Sequence, residues 1–318
     1  MKKSAEQSAV AAVALNKRGF SYYVQKYWPY YALLAIPVIY VFIFKYIPMY
    51  GVQIAFKDYR ASDGIWGSEF VGWENFIRFF KIGNATTYIM NTLYLSIYGI
   101  IAGFPFPIIL ALCLNYVRNM FFKKTVQMIS YAPHFISMVV MVGILIQFFA
   151  RNGFINFITG LFGMQAVNYM ADPTLFGDIY VWSGVWQNVG FSSILYLGIL
   201  SNVDYNLHEA AIVDGASIVK RMWYIDFPVI LPTAITLLVM STGQILNVGF
   251  EKVYLMQNPL NTSVSEIIST YTYKMSFEST LPDFGYSTAI GLFQSAIGFV
   301  LLMVVNKLAN KFNDSGIF

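Results

Sequence analysis

The chain has 318 residues, of which 57% are hydrophobic and only 11% charged, where soluble domains carry about 25% charged residues. So much apolar surface cannot be hidden in one water-soluble core, and the bilayer must act as its solvent. A net charge of +4 is small for a nucleic-acid binder, and the one cysteine, Cys113, excludes an intrachain disulfide or a multi-cysteine metal site.

Residues 1–29 read as a cytoplasmic N-terminal arm. Lys2 and Lys3 precede only a brief Ala/Val run before Asn16-Lys17-Arg18, too short and interrupted for a cleaved signal. Residues 30–318 read as one transmembrane domain with six apolar stretches near 30–47, 92–114, 126–149, 179–200, 229–250 and 288–305. Each reaches the roughly 17–25 residues that cross a bilayer as helix. Helices are expected because an isolated strand would leave its backbone unpaired in lipid, and the alternating pattern of a membrane barrel is absent. The class is an all-α polytopic membrane protein.

Lys and Arg set the expected topology. Lys2, Lys3, Lys17, Arg18, Lys26, Arg118, Lys123, Lys124, Lys220, Arg221, Lys307 and Lys311 crowd the termini and the shorter loops. By the positive-inside rule both termini and the loop 201–227 are cytoplasmic. The opposite connections, near 48–91, 150–178 and 251–287, are long and rich in aromatics such as Trp66, Trp73 and Phe76. They are expected to fold as short surface helices rather than as disorder.

Polar residues recur inside the spans. The third offers Ser130, His134 and Ser137 on one helical face. The fourth offers Ser183, Gln187, Asn188 and Ser192 beside Trp182, Trp186 and Phe191. The fifth offers Ser241, then Gln244, Asn247 and Glu251 at i, i+3 and i+7. Such groups face a bundle interior or a water-filled cavity, and the same residue types also bind helices to each other. Amides and hydroxyls beside aromatic rings suit sugars, which marks Trp186, Asn188, Phe191, Ser192, Ser241, Gln244 and Asn247 as candidate substrate-path residues. His134 reads instead as a helix-packing hydrogen bonder.

Between the fourth and fifth spans lies Glu209-Ala210-Ala211-Ile212-Val213-Asp214-Gly215-Ala216, ending in Ile225-Asp226-Phe227-Pro228. Asn206 and Glu209 are spaced like a capping box, which would put Glu209 in a first helical turn facing the positive end of the helix dipole. Ala210, Ala211, Gly215 and Ala216 remove bulk, so another protein's backbone can approach closely. Gly215 costs about 1 kcal/mol inside a helix, and fits if the chain turns there between two short helices. Pro228 and Pro232 would open the fifth span. The chain has no Gly-x-x-x-x-Gly-Lys-Ser/Thr run, no catalytic pair, and no cofactor-binding or metal-ligand cluster at useful spacing.

This loop resembles the EAA loop of ABC-importer permeases, including the Gly215 to Ile225 spacing, with Phe227 where the pattern usually has Leu. The resemblance runs from about residue 30 to the end and points to carbohydrate-uptake permeases of the maltose-permease superfamily, polysaccharide or oligosaccharide branch. Gly51-Val52-Gln53-Ile54-Ala55-Phe56, Phe70-Val71-Gly72-Trp73, Pro133-His134-Phe135, Trp186-Gln187-Asn188-Val189-Gly190-Phe191, Thr270-Tyr271-Thr272-Tyr273, Ala289-Ile290-Gly291-Leu292 and Phe318 carry it as well.

It implies a type I importer permease fold in a bacterial inner membrane, contacted by lipid and not by nucleic acid. A heterodimer with a second permease subunit, two ATP-binding subunits and an extracytoplasmic solute-binding protein would complete the assembly. ATP and Mg would reside in the partners, with none in this chain. Glu209, Ala210, Ala211, Asp214, Gly215, Ala216 and Pro228 would couple to the ATPase. A gradient-driven secondary transporter, or a membrane receptor or scaffold, is the alternative. Neither needs the EAA pattern, and the former predicts buried acids near mid-membrane.

Overall fold

The computed structural model describes residues 20–313. The arm through residue 19 and the terminal Phe318 lie outside the described residues. Five stretches are long and apolar enough to cross a membrane: Tyr22–Phe56, Ala85–Asn115, Met138–Leu161, Ile218–Gly243 and Phe284–Lys311. The expected fourth span is helix Pro173–Leu200, 28 residues long. Its Asp178, Ser183, Gln187, Asn188 and Ser192 dilute its apolar character without shortening it.

The first helix, α1 (Phe20–Val41), passes through a wide turn at Phe42–Tyr46, and the stretch Tyr22–Phe56 leaves its most apolar part entirely unburied within the chain. A two-residue antiparallel pair comes next, β1 (Lys57–Asp58) with β2 (Glu69–Phe70). Then α2 (Glu74–Lys81) is held by Asn75 Nδ2, which donates to the carbonyls of Ala55 and Lys57 at 3.0 Å. The second span is α3 (Ala85–Gly103) and α4 (Pro105–Asn115). The long connections do form short helices, and the small strand pair is an addition to that expectation.

The third span corrects the sequence reading. It is not one helix over 126–149 but α5 (Met120–Tyr131), a tight turn at Ala132–Phe135, and α6 (Met138–Phe149) capped by Ser137. Pro133 breaks the ladder, so Ser130, His134 and Ser137 do not share a helical face. A short α7 (Phe154–Leu161) comes after it.

The central element is α8 (Pro173–Leu200), with Asp172 accepting from the Thr174 amide as cap and Pro173 at the first position, where a missing amide costs nothing. It packs on α3, α4 and α5. At Gly190 an added Cβ would stand 2.1 Å from the Ser130 carbonyl oxygen, so only glycine permits that approach.

After α9 (Tyr205–Val213), the chain runs through α10 (Ile218–Arg221), a wide turn at Met222–Asp226, and α11 (Phe227–Gly243). Helical geometry therefore begins ten residues before Pro228. The prolines do not open the span, and the wide turn accommodates the ring of Pro228 where α geometry would clash with the Tyr224 carbonyl.

The fifth span then unwinds over 244–249 before α12 (Phe250–Met256). Ser96 takes up the freed Ile245 carbonyl and Gln294 that of Leu246 at 3.2 Å, as backbone at membrane depth requires. Gln244, Asn247 and Glu251 thus do not form one helical face. The chain closes with α13 (Ile268–Tyr273) and α14 (Phe284–Asn313). The ion pair of Arg78 with Asp283 at 2.6 Å ties α2 to the start of α14.

Candidate functional site

Helix α9 and the turn after it form a small projecting knob. Asp204, not Asn206, caps the helix: its side chain accepts from the Asn206 amide at 3.0 Å. Glu209 stands beyond the first turn, so the expected capping box is absent and Glu209 has no local dipole role. It is exposed, as are Ala210, Asp214, Gly215 and Pro228, while Ala211 and Ala216 are half-buried.

The helix ends in a paired closure. The Ala216 amide reaches the Ala211 carbonyl at 2.8 Å and the Gly215 amide reaches that of Ile212 at 3.0 Å. This motif needs a left-handed residue at its turn, and Gly215 supplies it at φ 71°. Ser217 then caps α10 by accepting from the Lys220 amide. Large apolar side chains ring the knob: Val213 is 87% and Val219 72% exposed, with Tyr205, Trp223 and Tyr224 nearby in sequence and also exposed. Exposed apolar side chains beside the carboxylates of Glu209 and Asp214 are what a protein-docking surface offers.

Behind the knob is a buried polar cluster. Asp226 is fully buried, and His208 Nε2 lies 3.3 Å from its Oδ1, within ion-pair range but without hydrogen-bond geometry. The Arg221 guanidinium sits 5.3 Å over the Tyr116 ring, and that ring meets the His208 imidazole edge-on at 6.1 Å. Burial, and next the Asp226 carboxylate beside it, push the Tyr116 phenol above its ordinary range. His208 adjoins Glu209 in sequence, so the cluster fastens α9 to the foot of α4 and to the helix leading into α11.

A cavity of about 790 Å³ opens between α3, α8 and α11. Five of the seven expected substrate-path residues stand in its wall: Phe191, Ser192, Ser241, Gln244 and Asn247. Asn188 lines a chamber of about 380 Å³ that shares Gly99, Gly103, Pro107, Tyr180 and Ser192 with the first.

Trp186 points elsewhere, into an apolar chamber on another side of α8 with Met141, Leu145 and Trp182. His134 behaves as a helix-packing bonder: Nδ1 is 3.0 Å from Asn188 Oδ1, and its ring stacks on Phe191 at 3.9 Å. Asn188 and Phe191 are thereby held from behind. Gln244 accepts from Asn247 Nδ2 at 3.0 Å, which shapes the unwound segment.

Sequence reasoning misses Ser96, Tyr180, Tyr196 and Lys252 in these walls. Lys252 falls in the loop beyond the expected fifth span. Gly243 and Gly249 bracket the polar Gln244 and Asn247. That pairing is the signal that the helix breaks there and that α12 stays close to the bundle.

Comparison with known proteins places the chain among relatives over nearly its whole length. The family model described as binding-protein-dependent transport system inner membrane component matches residues 103–314. Protein LplB of Bacillus subtilis (strain 168) is 44% identical over 92% of this chain and 91% of its own length. The polygalacturonan/rhamnogalacturonan transport system permease protein YteP of the same organism is 39% identical over 99% of this chain and 100% of its own. A chain in the crystal structure of a bacterial alginate ABC transporter, in complex with an alginate pentasaccharide-bound periplasmic protein, superposes with a TM-score of 0.85 at 33% identity. That superposition covers 94% of this chain and 99% of the other.

Proposed function

The chain belongs to the family of binding-protein-dependent transport system inner membrane components, and from that membership we propose that it is the transmembrane subunit of an ATP-driven oligosaccharide importer. It is a multi-pass permease rather than an enzyme. In this reading ATP and Mg are bound and used by two partner ATP-binding subunits. A solute-binding protein delivers the sugar from outside, and a second permease completes the pore. Both termini face the cytoplasm, where the knob meets its ATPase.

The observation that carries the reading is the knob itself. A nine-residue helix presents exposed Glu209 and small side chains, stops at a left-handed Gly215, and is ringed by exposed apolar groups. The unburied first span supports a membrane neighbour, either lipid or the second permease. The relatives that transport named polysaccharides support sugar as the cargo class.

The test is to purify the chain with its natural companions from its own membrane and to measure ATPase activity with and without Glu209→Lys. Glu209 is exposed, so the variant keeps its fold. A bound ATPase lost on that one change supports the reading. Wild type that emerges without any ATPase refutes it.

A further inference from the structure

We propose that Lys252 is the anion-reading group of the transport cavity, so that the sugar carried is an acidic one bearing carboxylates. The inference rests on the importer reading above and adds the substrate's charge to it.

Lys252 lies on α12, just past the unwound segment, and is 5% exposed. Its Nζ donates to the Tyr180 carbonyl at 2.7 Å and stands 4.9 Å from the centre of the Tyr180 ring. Helix α8 makes room for it: a Cβ on Gly184 would come within 3.3 Å of Nζ. Lys252 lines the smaller chamber with Gln187, Asn188 and Ser192, and that chamber adjoins the larger one, sharing Tyr180 and Ser192 in its wall.

Among the described residues no carboxylate comes within ion-pair distance of Lys252. The pairs formed are Arg60 with Asp58, Arg78 with Asp283, His208 with Asp226, and Lys274 with Glu266. Neither chamber has an Asp or Glu in its wall, and Lys252 is the one ionic side chain in either. A buried cation with neutral partners only is costly, and inside a membrane domain such a group marks a ligand path.

The ammonium has three donors, and the Tyr180 carbonyl uses one. A carboxylate entering the chamber would take up the others, while Asn188, Gln187 and Ser192 meet hydroxyls and the rings of Tyr180 and Phe191 meet the sugar faces. A neutral sugar needs hydroxyls and amides alone, and the walls already supply those.

The experiment uses the purified complex with its ATPase subunits. It measures stabilisation of the complex against heat by uronate oligosaccharides of several linkages and by their methyl esters, which keep the sugar and remove the charge. The expected result is that at least one acid binds about tenfold or more tighter than its ester, the scale of one desolvated ion pair. Lys252→Met and Lys252→Gln erase that preference, and Lys252→Arg retains it.

Equal binding of acid and ester, binding of none of the acids, or a preference unchanged in both neutral variants overturns the proposal. Gly184→Ala keeps the charge and crowds Nζ. It should reduce the acid-to-ester ratio, which a merely structural lysine would not produce. ATPase co-purification and its loss in Glu209→Lys are read on the same preparation, so failure of the importer reading is seen separately.

Discussion

Gly215 allows strain within the chain to be separated from docking against a partner. Its φ of 71° closes the end of α9, and a Cβ added there would meet nothing within 4 Å. Inside this chain, therefore, the only cost of a side chain at 215 is the left-handed backbone. For alanine that is about 1–2 kcal/mol, and asparagine pays less because it tolerates this region. Strain alone ranks the variants Gly, then Asn, then Ala, with alanine weakening the closed turn by about five- to thirtyfold.

Docking into a partner's cleft ranks them by size: Gly, then Ala, then Asn, with Gly215→Leu worst. The assay is the fraction of ATPase subunit retained on the purified permease, together with sugar-dependent ATP hydrolysis in vesicles and a melting curve for the permease alone. The expected outcome is that Gly215→Asn melts higher than Gly215→Ala yet retains less ATPase. If Asn keeps more ATPase than Ala, the turn acts through local strain only, and the close-approach argument for this surface is wrong.

The geometry predicts three further outcomes. His208→Ala removes the group facing buried Asp226 and should destabilise by about 1–3 kcal/mol, the cost of leaving a buried polar group less well met. The double variant with Asp226→Asn should melt higher than His208→Ala alone, and strict additivity would refute the coupling of the two. Gly190→Ala drives a methyl to 2.1 Å from the Ser130 carbonyl, beyond the about 1–3 kcal/mol of ordinary overpacking, and should abolish a stable product in detergent. Gly198→Ala, with nothing within 4 Å, is the silent control. Gln244→Ala and Asn247→Ala should change the sugar concentration at half-maximal transport while ATPase co-purification stays at the wild-type level. Unchanged kinetics in both would remove that segment from the path.

The class of the fold and the position of the knob are legible in the sequence because both rest on local signals. Apolar length marks the spans, and Gly215 among alanines marks the turn. Expectation and structure part wherever uninterrupted helix is assumed. Pro133 reads as part of a continuous third span, yet the tight turn at Ala132–Phe135 divides it. The i, i+3, i+7 pattern of Gln244, Asn247 and Glu251 suggests a face, yet Gly243 and Gly249 bound a segment whose carbonyls find Ser96 and Gln294 on other helices.

Those partners lie far away in sequence, so no periodicity reveals them. The same holds for His208 and Asp226, which meet only because the chain doubles back at Gly215. Lys252 is hidden by the same assumption, since a fifth span running to residue 250 leaves it outside.

The path from knob to cavity can be traced in one element. Residues Ile218–Gly243 form a helical run of 26 residues, about 39 Å long at 1.5 Å per residue. Asp226, about a third of the way along it, faces His208 of the knob, and its far end stops at Gln244 in the cavity wall. Near that far end it crosses α14 at glycines: a Cβ on Gly298 would come within 2.8 Å of the Gly243 carbonyl, so the two backbones nearly touch. Small residues at a crossing let helices approach closely, and the Leu302 side chain of α14 packs over Gly243 there.

On the importer reading, a push on the knob would pass along this helical run, through its wide turn at Met222–Asp226 and past Pro232, to the unwound segment beyond Gly243. The segment that receives it carries Asn247 and leads directly into Lys252. One continuous helical run thus joins the knob to the residues that line the chambers.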